Sequence, residues 1–284
     1  YFEIGRTQKD KASGAEIALK RTLESQEREE RKAAKDAAGG KLRAIKRSRR
    51  FWFEKYRWGI LSDGRMIVGG RDAKGNDSIV KKHLGSKDLY IHADLHGAPS
   101  CVLKIKEGME FRDSTTEHIP EGVCSLQISQ NMDGPEDARE LPDSLLKEAS
   151  QIAVCWSRAW GSGGAAATAF YVRPSQVSKK TESGESLGRG AFVVRGQRHW
   201  YRDLPLELGM GMGVVNGVPL PVIGTVESIS KSFGRWARII PGRDKKENVA
   251  NSISKATGLS QDDVLSVLPP GNCSVEDYGL LRNK

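Results

Sequence analysis

Two histidines and two aspartates lie within nine positions of the segment DLYIHADLHGAPS, residues 88–100. Side chains alternate between the two faces of a β-strand, so this segment, taken as a strand, places five polar or aromatic residues on one face: Asp88, Tyr90, His92, Asp94 and His96. The intervening residues at 89, 91, 93 and 95 are apolar and share the opposite face. The pattern predicts an organised polar face whose imidazole and carboxylate groups can bind a metal, transfer protons or shape a binding surface.

Three interpretations of this polar face are open. His92 and His96 can both reach a zinc ion if the strand bends, with a carboxylate as the third ligand. A histidine–carboxylate pair can instead act as a general base, provided that a nucleophile or a positioned water lies nearby. Finally, His96-Gly97 followed by Pro99 is typical of a strand that ends in a sharp turn, where aspartates bond backbone amides and orient the histidines.

A second group of residues lies in VRPSQVSKKTESGESLGRGAFVVRGQRHWY, residues 172–201. We call Ser178 to Gly196 the glycine-rich hairpin. Its glycines allow backbone amides to approach phosphates, and polar and basic side chains in and beside it can bind them: Ser178, Lys179, Lys180, Arg195 and Arg198. Trp200 and Tyr201 suit stacking on unpaired bases, whereas Trp156 and Trp160, four apart on a predicted helix, are typical of a core. The loop fits neither G-x-x-x-x-G-K-[ST] nor G-x-G-x-x-G, so it predicts no ATP or NAD site, and a flexible hairpin is the structural alternative.

The formal net charge of +9 is unevenly distributed. Residues 41–58 contain eight basic residues and one acidic residue, and residues 173–202 contain seven basic and two acidic residues. Residues 106–147 reverse this balance, with ten acidic and four basic residues. Such segregation predicts a face that attracts a polyanion and a neutral or acidic back, and Arg49 and Arg50 in the first run become candidate phosphate ligands. Solvated faces that only promote solubility are the alternative.

Length and composition predict a globular protein of two small domains, with 284 residues of which 38% are hydrophobic. No run approaches the roughly 18 apolar residues of a membrane span, and the start, YFEIGRTQKDK, has no apolar signal segment, so we expect a cytoplasmic protein. Because the chain begins at Tyr1, we expect it to be a piece of a longer protein. The four cysteines form no C-x-x-C pair, which predicts reduced thiols, no metal site of cysteines and no disulfide framework.

Residues 1–48 are predicted to be the end of a coiled-coil arm followed by a basic helix. Residues 13–38 are rich in helix formers but poor in apolar residues, so a helix there needs a partner helix. The segment KLRAIKRSRR, residues 41–50, is predicted to form the basic helix.

Residues 49–210 are predicted to form a domain of strands and helices. We expect a β-hairpin around Ser62-Asp63-Gly64, a helix over 76–84 capped by Asn76, and strands over 88–94 and 99–105. The acidic stretch 106–142 is predicted to be mostly loop and 145–160 an amphipathic helix. The glycine- and proline-rich residues 211–221 predict a boundary, after which 211–284 form a small α+β domain. The fold class expected is α+β, a mostly antiparallel sheet with packed helices.

These stretches together resemble the RNA-binding domain of the NFACT family of ribosome-associated quality-control factors. The resemblance covers about residues 50–205 and runs in order through FWFEKYRWGILSDGRMIVGGRDAKGNDSIVKKHL, DLYIHADLHGAPSCVLK, ASQIAVCWSRAW and SQVSKKTESGESLGRGAFVVRG. The polar and basic segments before it are similar to the end of the family's coiled-coil arm. The tail, with RIIPGRDKKENVANSISKATG and DDVLSVLPPG, resembles the C-terminal extension of archaeal members. The family's N-terminal domain, with its aspartate-arginine motif that reads tRNA, has no counterpart in these residues.

The resemblance implies a scaffold without enzymatic activity or cofactor. Family members bind large ribosomal subunits that carry peptidyl-tRNA and recruit aminoacyl-tRNA, so that untemplated residues are added to the nascent chain by the ribosome's own peptidyl-transferase centre. The implied partners are the rRNA and proteins of the large subunit, tRNA and the nascent peptidyl-tRNA complex, with no membrane. In this interpretation basic residues neutralise RNA phosphates, while His92, Asp94 and His96 position bases or ribose, or brace the turn.

Two other function classes are consistent with the residues. One is a metal-assisted nuclease or hydrolase that uses the His92, Asp94 and His96 strand. The other is a protein-interaction arm whose basic charge only promotes solubility.

Overall fold

The computed structural model describes residues 14–28, 31, 35, 41–42, 44, 47–112, 119–137, 140–181 and 183–281. Residues 14–28 are helical, and their apolar side chains Ile17, Leu19 and Leu23 are exposed by 53%, 61% and 52%. The predicted helix is confirmed over these residues, whereas its pairing in a coiled coil stays a prediction. Among the described residues, no helix is both long and apolar enough to cross a lipid bilayer.

One eleven-stranded, mostly antiparallel sheet organises the fold. Its order is β13-β12-β10-β5-β4-β3-β6-β9, with β11 added to β10, and with β2 paired to both β1 and β4. The pairing of β5 with β10 is parallel. Two short strands, β7 and β8, form a separate ribbon. The strands are β1 (Arg57–Ile60), β2 (Arg65–Gly69), β3 (Leu89–Ala93), β4 (Cys101–Arg112), β5 (Cys124–Ser129), β6 (Ala166–Val172), β7 (Val177–Ser178), β8 (Val193–Val194), β9 (His199–Pro205), β10 (Leu208–Val215), β11 (Val218–Gly224), β12 (Trp236–Asp244) and β13 (Cys273–Tyr278).

Five α-helices follow the helical residues at the start of the described chain, and they pack against this sheet. They are α1 (Ala73–His83), α2 (Asp143–Cys155), α3 (Val226–Ser232), α4 (Lys246–Thr257) and α5 (Gln261–Val267). The stripe predicted over 145–160 is confirmed, since Leu145, Ala149, Ile152 and Trp156 are all buried, although α2 ends at Cys155. Trp160 belongs to the same core. The α+β fold class is therefore confirmed.

The β1–β2 hairpin forms where the Ser62-Asp63-Gly64 turn predicts it. The Asp63 carboxylate accepts a hydrogen bond of 3.0 Å from the Arg65 amide, and Gly64 has a φ of +86°. A side chain at Gly64 is excluded twice, because the left-handed backbone disfavours it and its Cβ would lie 2.1 Å from the Met109 carbonyl oxygen. The turn thus sets the register of the strands that lead to β4.

The predicted basic helix over 41–50 is wrong for the residues that the structure describes, none of which is helical. The Leu42 amide donates to the Thr257 carbonyl at 2.7 Å, and the Leu42 side chain is buried. The Arg47 guanidinium donates two hydrogen bonds of 2.8 and 2.7 Å to the Glu54 carboxylate. These contacts with distant residues override the local helix preference, which is worth only tenths of a kcal/mol per residue, roughly.

Two other local predictions need correction. The acidic stretch 106–142 is not mostly loop, because β4 continues to Arg112 and β5 follows at Cys124. The cap of α1 is Asp72, whose carboxylate accepts from the Gly75 amide at 2.6 Å, whereas the Asn76 side chain accepts from the Ser100 amide. The reason is that the helix begins three residues earlier than predicted, at Ala73.

The sheet continues across the predicted boundary between residues 49–210 and 211–284. Strand β10 starts before that boundary and ends after it, and one of its edges pairs with β12 over Leu208–Gly211 and with β5 over Gly213–Val215, while the other edge pairs with β11. The glycine- and proline-rich segment at 211–221 contains the β10–β11 hairpin. The division into these domains stays a prediction.

Candidate nucleic-acid interface

A row of rings crosses three neighbouring strands of the sheet. His92 of β3 is the register partner of Phe170 of β6, which is the partner of Trp200 of β9. The ring centroids of His92 and Phe170 are 5.9 Å apart, and those of Phe170 and Trp200 are 5.1 Å apart. The Arg198 guanidinium lies 4.9 Å from the Phe170 centroid and 5.9 Å from that of Trp200. The row ends at Trp200, which is 39% exposed, so it offers a cation and ring surface for stacking.

The alternation predicted for the histidine segment holds from Leu89 to Ala93. Leu89, Ile91 and Ala93 join the main core, while the Tyr90 ring lies parallel to that of His92 on the other face. Burial lowers the pKa of His92 below its usual 6.5, while the backbone groups of Ala93 and Ala98 oppose that shift. The imidazole is therefore neutral at pH 7 and offers one donor and one acceptor.

The strand does not reach His96, so the predicted alternation is wrong beyond Ala93. Asp94 to Gly97 form an exposed bend and turn in which the Ala98 amide donates to the Leu95 carbonyl at 3.1 Å. Gly97 has a φ of +74°, which favours glycine. The sharp turn predicted at His96-Gly97 is thereby confirmed, and it places Asp94 and His96 beside His92 on the wall of one groove.

The glycine-rich hairpin, apart from residue 182, which lies outside the described residues, is docked on helix α1. The Lys179 ammonium donates to the Asp77 carboxylate at 2.6 Å and to the carbonyls of Gly188 and Ala191 at 2.9 and 3.0 Å. The Gly190 amide donates to the same Asp77 carboxylate at 2.9 Å. Partial burial raises the pKa of Asp77, but the hydrogen bonds from Lys179 and Gly190 outweigh it and leave that pKa below its usual value. The hairpin is thus held in place by a charged anchor.

Gly190 makes the close approach of hairpin and helix possible. Its φ is +79°, and a Cβ built on it would lie 2.7 Å from Cα of Ala73, the first residue of α1. A side chain at this position is therefore excluded by both backbone conformation and space.

The hairpin, the turn after β3 and the start of α1 enclose a groove with a volume of about 790 Å³. We call it the arginine groove, because five arginines from separate parts of the chain line it: Arg57, Arg71, Arg158, Arg189 and Arg198. The two carboxylates of its lining are Asp72, which caps α1, and Asp94. The groove is thus where the histidine segment and the glycine-rich hairpin meet.

Among the described residues, the arginines of the groove outnumber its carboxylates by five to two. None of these five arginines forms a salt bridge within the described ranges. Arg57 is half-buried, and burial followed by repulsion from Arg71 lowers the pKa of Arg57 to about 10. Burial and the nearby Arg50 likewise lower the pKa of Arg71, whose guanidinium donates to the carbonyls of Glu54 and Tyr56. Both side chains stay charged at neutral pH, so the groove attracts anions.

The structure brings four of the predicted site residues into the groove lining: His92, Asp94, His96 and Arg198. The other six lie outside that lining: Arg49, Arg50, Ser178, Lys179, Lys180 and Arg195. Arg50 lies 3.6 Å from the Asp263 carboxylate, and Lys179 is occupied by Asp77. Arg195 donates to the Lys180 carbonyl, as does the Ser178 hydroxyl. Their contact with phosphates stays a prediction.

Four arginines of the groove were not among the predicted site residues: Arg57, Arg71, Arg158 and Arg189. Arg57 and Arg189 lay inside the two basic runs, so charge alone pointed to their neighbourhood. Arg71 directly follows Gly70, which packs against Asn76 so closely that its Cβ would lie 2.0 Å from the Asn76 side-chain oxygen. A glycine directly before a helix therefore indicates a tight turn, and the residue after that glycine is a candidate for the site.

The described residues contain no group of three or more histidine, cysteine, aspartate or glutamate side chains placed to hold a metal ion. His92 lies on a strand and His96 in a turn, so the shared strand face on which the zinc interpretation rested is not formed. The metal-assisted alternative therefore finds no ligand set in this part of the chain. The four cysteines, among them the part-exposed Cys124, are free thiols.

Comparison with known proteins identifies relatives of this chain. Residues 51–196 match the NFACT protein RNA-binding domain. The archaeal Rqc2 homolog aRqcH of Methanocaldococcus jannaschii is 34% identical over 232 residues, which cover 81% of this chain and 30% of that protein. The human ribosome quality control complex subunit NEMF is 30% identical over 210 residues, which cover 74% of this chain and 16% of that protein.

A yeast relative extends the comparison further. The ribosome quality control complex subunit 2 of Schizosaccharomyces pombe is 27% identical over 198 residues, or 70% of this chain and 16% of that protein. The matched chain therefore spans less than a third of the length of these curated relatives. The arginine groove falls largely within the matched residues 51–196.

Proposed function

The chain belongs to the NFACT family, and from this premise we propose that it is the RNA-binding part of a ribosome quality-control factor. Its relatives are ribosome quality-control proteins, and the matched segment is their RNA-binding domain. In this proposal the arginine groove, the adjoining glycine-rich hairpin and the ring row from His92 to Trp200 form the RNA-binding surface.

The observation that carries the proposal is the concentration in one groove of five arginines without salt bridges to the described residues, beside a row of rings that ends at the exposed Trp200. Phosphates supply the charge that the described surroundings of Arg57, Arg71 and Arg158 lack. Arginine binds phosphate oxygens through two parallel N–H groups, and aromatic faces accept bases without sequence preference. A surface whose basic charge only promotes solubility has no need to gather cations from separate chain segments against a half-buried wall.

We further propose that the protein binds large ribosomal subunits that carry peptidyl-tRNA, and that it supports recruitment of tRNA for untemplated tailing of the nascent chain. Its role there is that of a scaffold without catalytic activity, because the peptide bonds would form in the ribosome's own centre. The site of action would be the cytoplasm. The large-subunit rRNA and proteins, tRNA and the peptidyl-tRNA complex are the partners that this role requires.

The test compares two double variants in binding to tRNA and to purified archaeal large ribosomal subunits over a series of salt concentrations. Arg158→Gln/Arg189→Gln removes two exposed groove charges. Arg112→Gln/Lys231→Gln is the matched control, since these two exposed cations are paired with Glu110 and Glu227 away from the groove.

The slope of log affinity against log salt is negative, and the groove variant is expected to make it less negative by about 1.4 to 1.8, as for two lost phosphate contacts. The control is expected to keep the wild-type slope. Equal salt dependence of wild type and groove variant would reject the arginine groove as the RNA-binding site. Absence of any binding to tRNA and subunits by the wild-type chain would reject the proposed function itself.

A further inference from the structure

The arginine groove carries a charge imbalance that a bound anion would relieve. Arg57 is half-buried, and burial followed by repulsion from Arg71 lowers its pKa. Burial followed by repulsion from Arg50 lowers the pKa of Arg71. The Arg57 guanidinium has a carbonyl partner, Leu268, at 3.0 Å. A carbonyl satisfies an N–H group but supplies no net negative charge, so the repulsion between the half-buried Arg57 and the neighbouring, exposed Arg71 remains.

The two carboxylates in the lining are poorly placed to meet that cost. The Asp72 carboxylate is engaged as the cap of α1, where it accepts from the Gly75 amide. Asp94 lies in the exposed turn after β3, and within the described ranges it forms no salt bridge with a groove arginine. A phosphate group in the groove would face several guanidinium groups at once.

The lining also contains aromatic side chains. Tyr90, His92, Phe170 and Phe192 come from β3, β6 and the glycine-rich hairpin, and the Tyr90 and Phe192 rings meet edge to face at 6.4 Å. One face of Phe192 is covered by the Lys179 ammonium, 4.6 Å from its centroid. The Trp156 indole also lines the groove, and its buried N–H has no hydrogen-bond partner among the described residues.

Size restricts the ligand to a unit far smaller than a duplex. A groove of about 790 Å³ lies within the roughly 300–1,000 Å³ of pockets that bind small ligands. Proteins read duplex RNA by its shape and backbone, whereas they bind unpaired nucleotides by splaying them into pockets. Arginines together with rings in a groove of this size therefore match one nucleotide, with its phosphate and its base.

We propose that the arginine groove holds a single unpaired nucleotide, its phosphate facing Arg57, Arg71 and Arg158 and its base against the wall formed by His92, Phe170 and Phe192. The proposal rests on the proposed function insofar as the nucleotide belongs to bound RNA. A free nucleoside monophosphate presents the same chemistry, and the experiment separates the two sources.

The experiment measures affinity of the full 284-residue chain for three labelled probes: a blunt RNA hairpin, the same hairpin with an unpaired nucleotide at its 3′ end, and a nucleoside monophosphate. Wild type is expected to prefer the hairpin with the unpaired nucleotide by roughly fivefold to a hundredfold, the range for stacking of one base. Phe192→Leu keeps an apolar side chain but removes the ring, so it is expected to reduce that preference. Arg112→Gln, exposed and outside the groove, is expected to leave it unchanged.

A cross-linking measurement on the wild-type chain makes the test independent of how the variants fold. A 4-thiouridine at the unpaired position is expected to cross-link to peptides that contain residues 90–99 or 189–194. Preference together with these cross-links supports the proposal. Equal affinity for both hairpins, or cross-links confined to other peptides, would overturn it while RNA binding by the chain stands.

The monophosphate arm separates this inference from the proposed function. Binding of the monophosphate without affinity for either RNA would support the groove as a nucleotide site and reject the RNA-binding function. Binding of none of the three probes by wild type would reject both.

Discussion

Replacement of Gly190 by alanine is expected to release the glycine-rich hairpin from helix α1. The added methyl group would lie 2.7 Å from Cα and 2.8 Å from Cβ of Ala73, on a backbone whose φ is +79°. Ala73 begins α1 and cannot retreat without moving the helix that carries Asp77, the hairpin's anchor. Relief must therefore come from the hairpin, whose residues are mostly exposed.

The size of the effect follows from two separate costs. A left-handed backbone costs a residue other than glycine about 1–2 kcal/mol, and an extra methyl group in a filled contact costs about 1–3 kcal/mol. Together they weaken docking by about 2–5 kcal/mol, and since about 1.4 kcal/mol corresponds to a factor of ten, the undocked population rises roughly 30-fold to several thousand-fold. The upper end is reached only if the docking free energy is that large.

Gly188→Ala is the matched control, because a Cβ at Gly188 meets nothing within 4 Å and its φ is not left-handed. Its effect on docking is expected to stay within about 0.5 kcal/mol. Amide hydrogen exchange read by mass spectrometry on peptides from 186–194 measures the difference, with thermal unfolding to verify that the main sheet is intact. If both variants keep wild-type protection in these peptides, the packing of Gly190 on Ala73 does not hold the hairpin and our account of the groove wall fails.

Three further results are expected. Lys104→Met leaves the buried Asp88 carboxylate without its ammonium partner and is expected to lower the free energy of unfolding by about 3–5 kcal/mol. Lys231→Met removes one partner of an exposed pair and should change the free energy of unfolding by less than about 1 kcal/mol. Similar urea midpoints for the two variants would contradict this expectation. Burial and then nearby lysines lower the pKa of His83 from 6.5 to about 4. Between these two pH values the unfolded chain binds more protons than the folded chain, so the free energy of unfolding falls as pH decreases through that window. The thermal midpoint of His83→Gln should fall less over the same window, and equal pH dependence of the midpoints of wild type and variant would refute the assignment. Burial raises the pKa of Cys101 to about 12 and that of Cys273 to about 11, so iodoacetamide at pH 8 should label neither thiol until the chain unfolds, which mass spectrometry detects.

Local patterns predicted the parts of the fold in which neighbouring residues decide the outcome. The Ser62-Asp63-Gly64 turn is determined by its own residues, since the Asp63 carboxylate accepts a hydrogen bond from the Arg65 amide and Gly64 adopts a positive φ. The stripe of α2 likewise follows from spacing alone. The helix prediction for residues 41–50 was wrong for the opposite reason. The Leu42 amide bonds to the carbonyl of Thr257, which is far away in the sequence and cannot be inferred from neighbouring residues.

The candidate site was recovered in part for the same physical reason. His92 and Arg198 could be predicted because alternation places His92 on a polar strand face and Arg198 belongs to a locally basic run. Arg71 and Arg158 could not be predicted in this way, because neither lies in a basic run. They become part of one groove only when the fold brings β2, α2 and the hairpin together. Lys179 was predicted from its charge to bind phosphate, but the sequence alone cannot show that its ammonium group pairs with the Asp77 carboxylate.

The parallel pairing of β5 with β10 has a consequence for how the chain is made. During synthesis β5 emerges long before Leu208–Val215, the strand that borders Cys124–Leu126 in the finished sheet. Until β10 arrives, the amide and carbonyl groups along that side of β5 have no strand to bond, and such an open edge invites pairing with other chains. A polypeptide whose translation is interrupted between these two strands is therefore left with an unfinished sheet that is prone to aggregate.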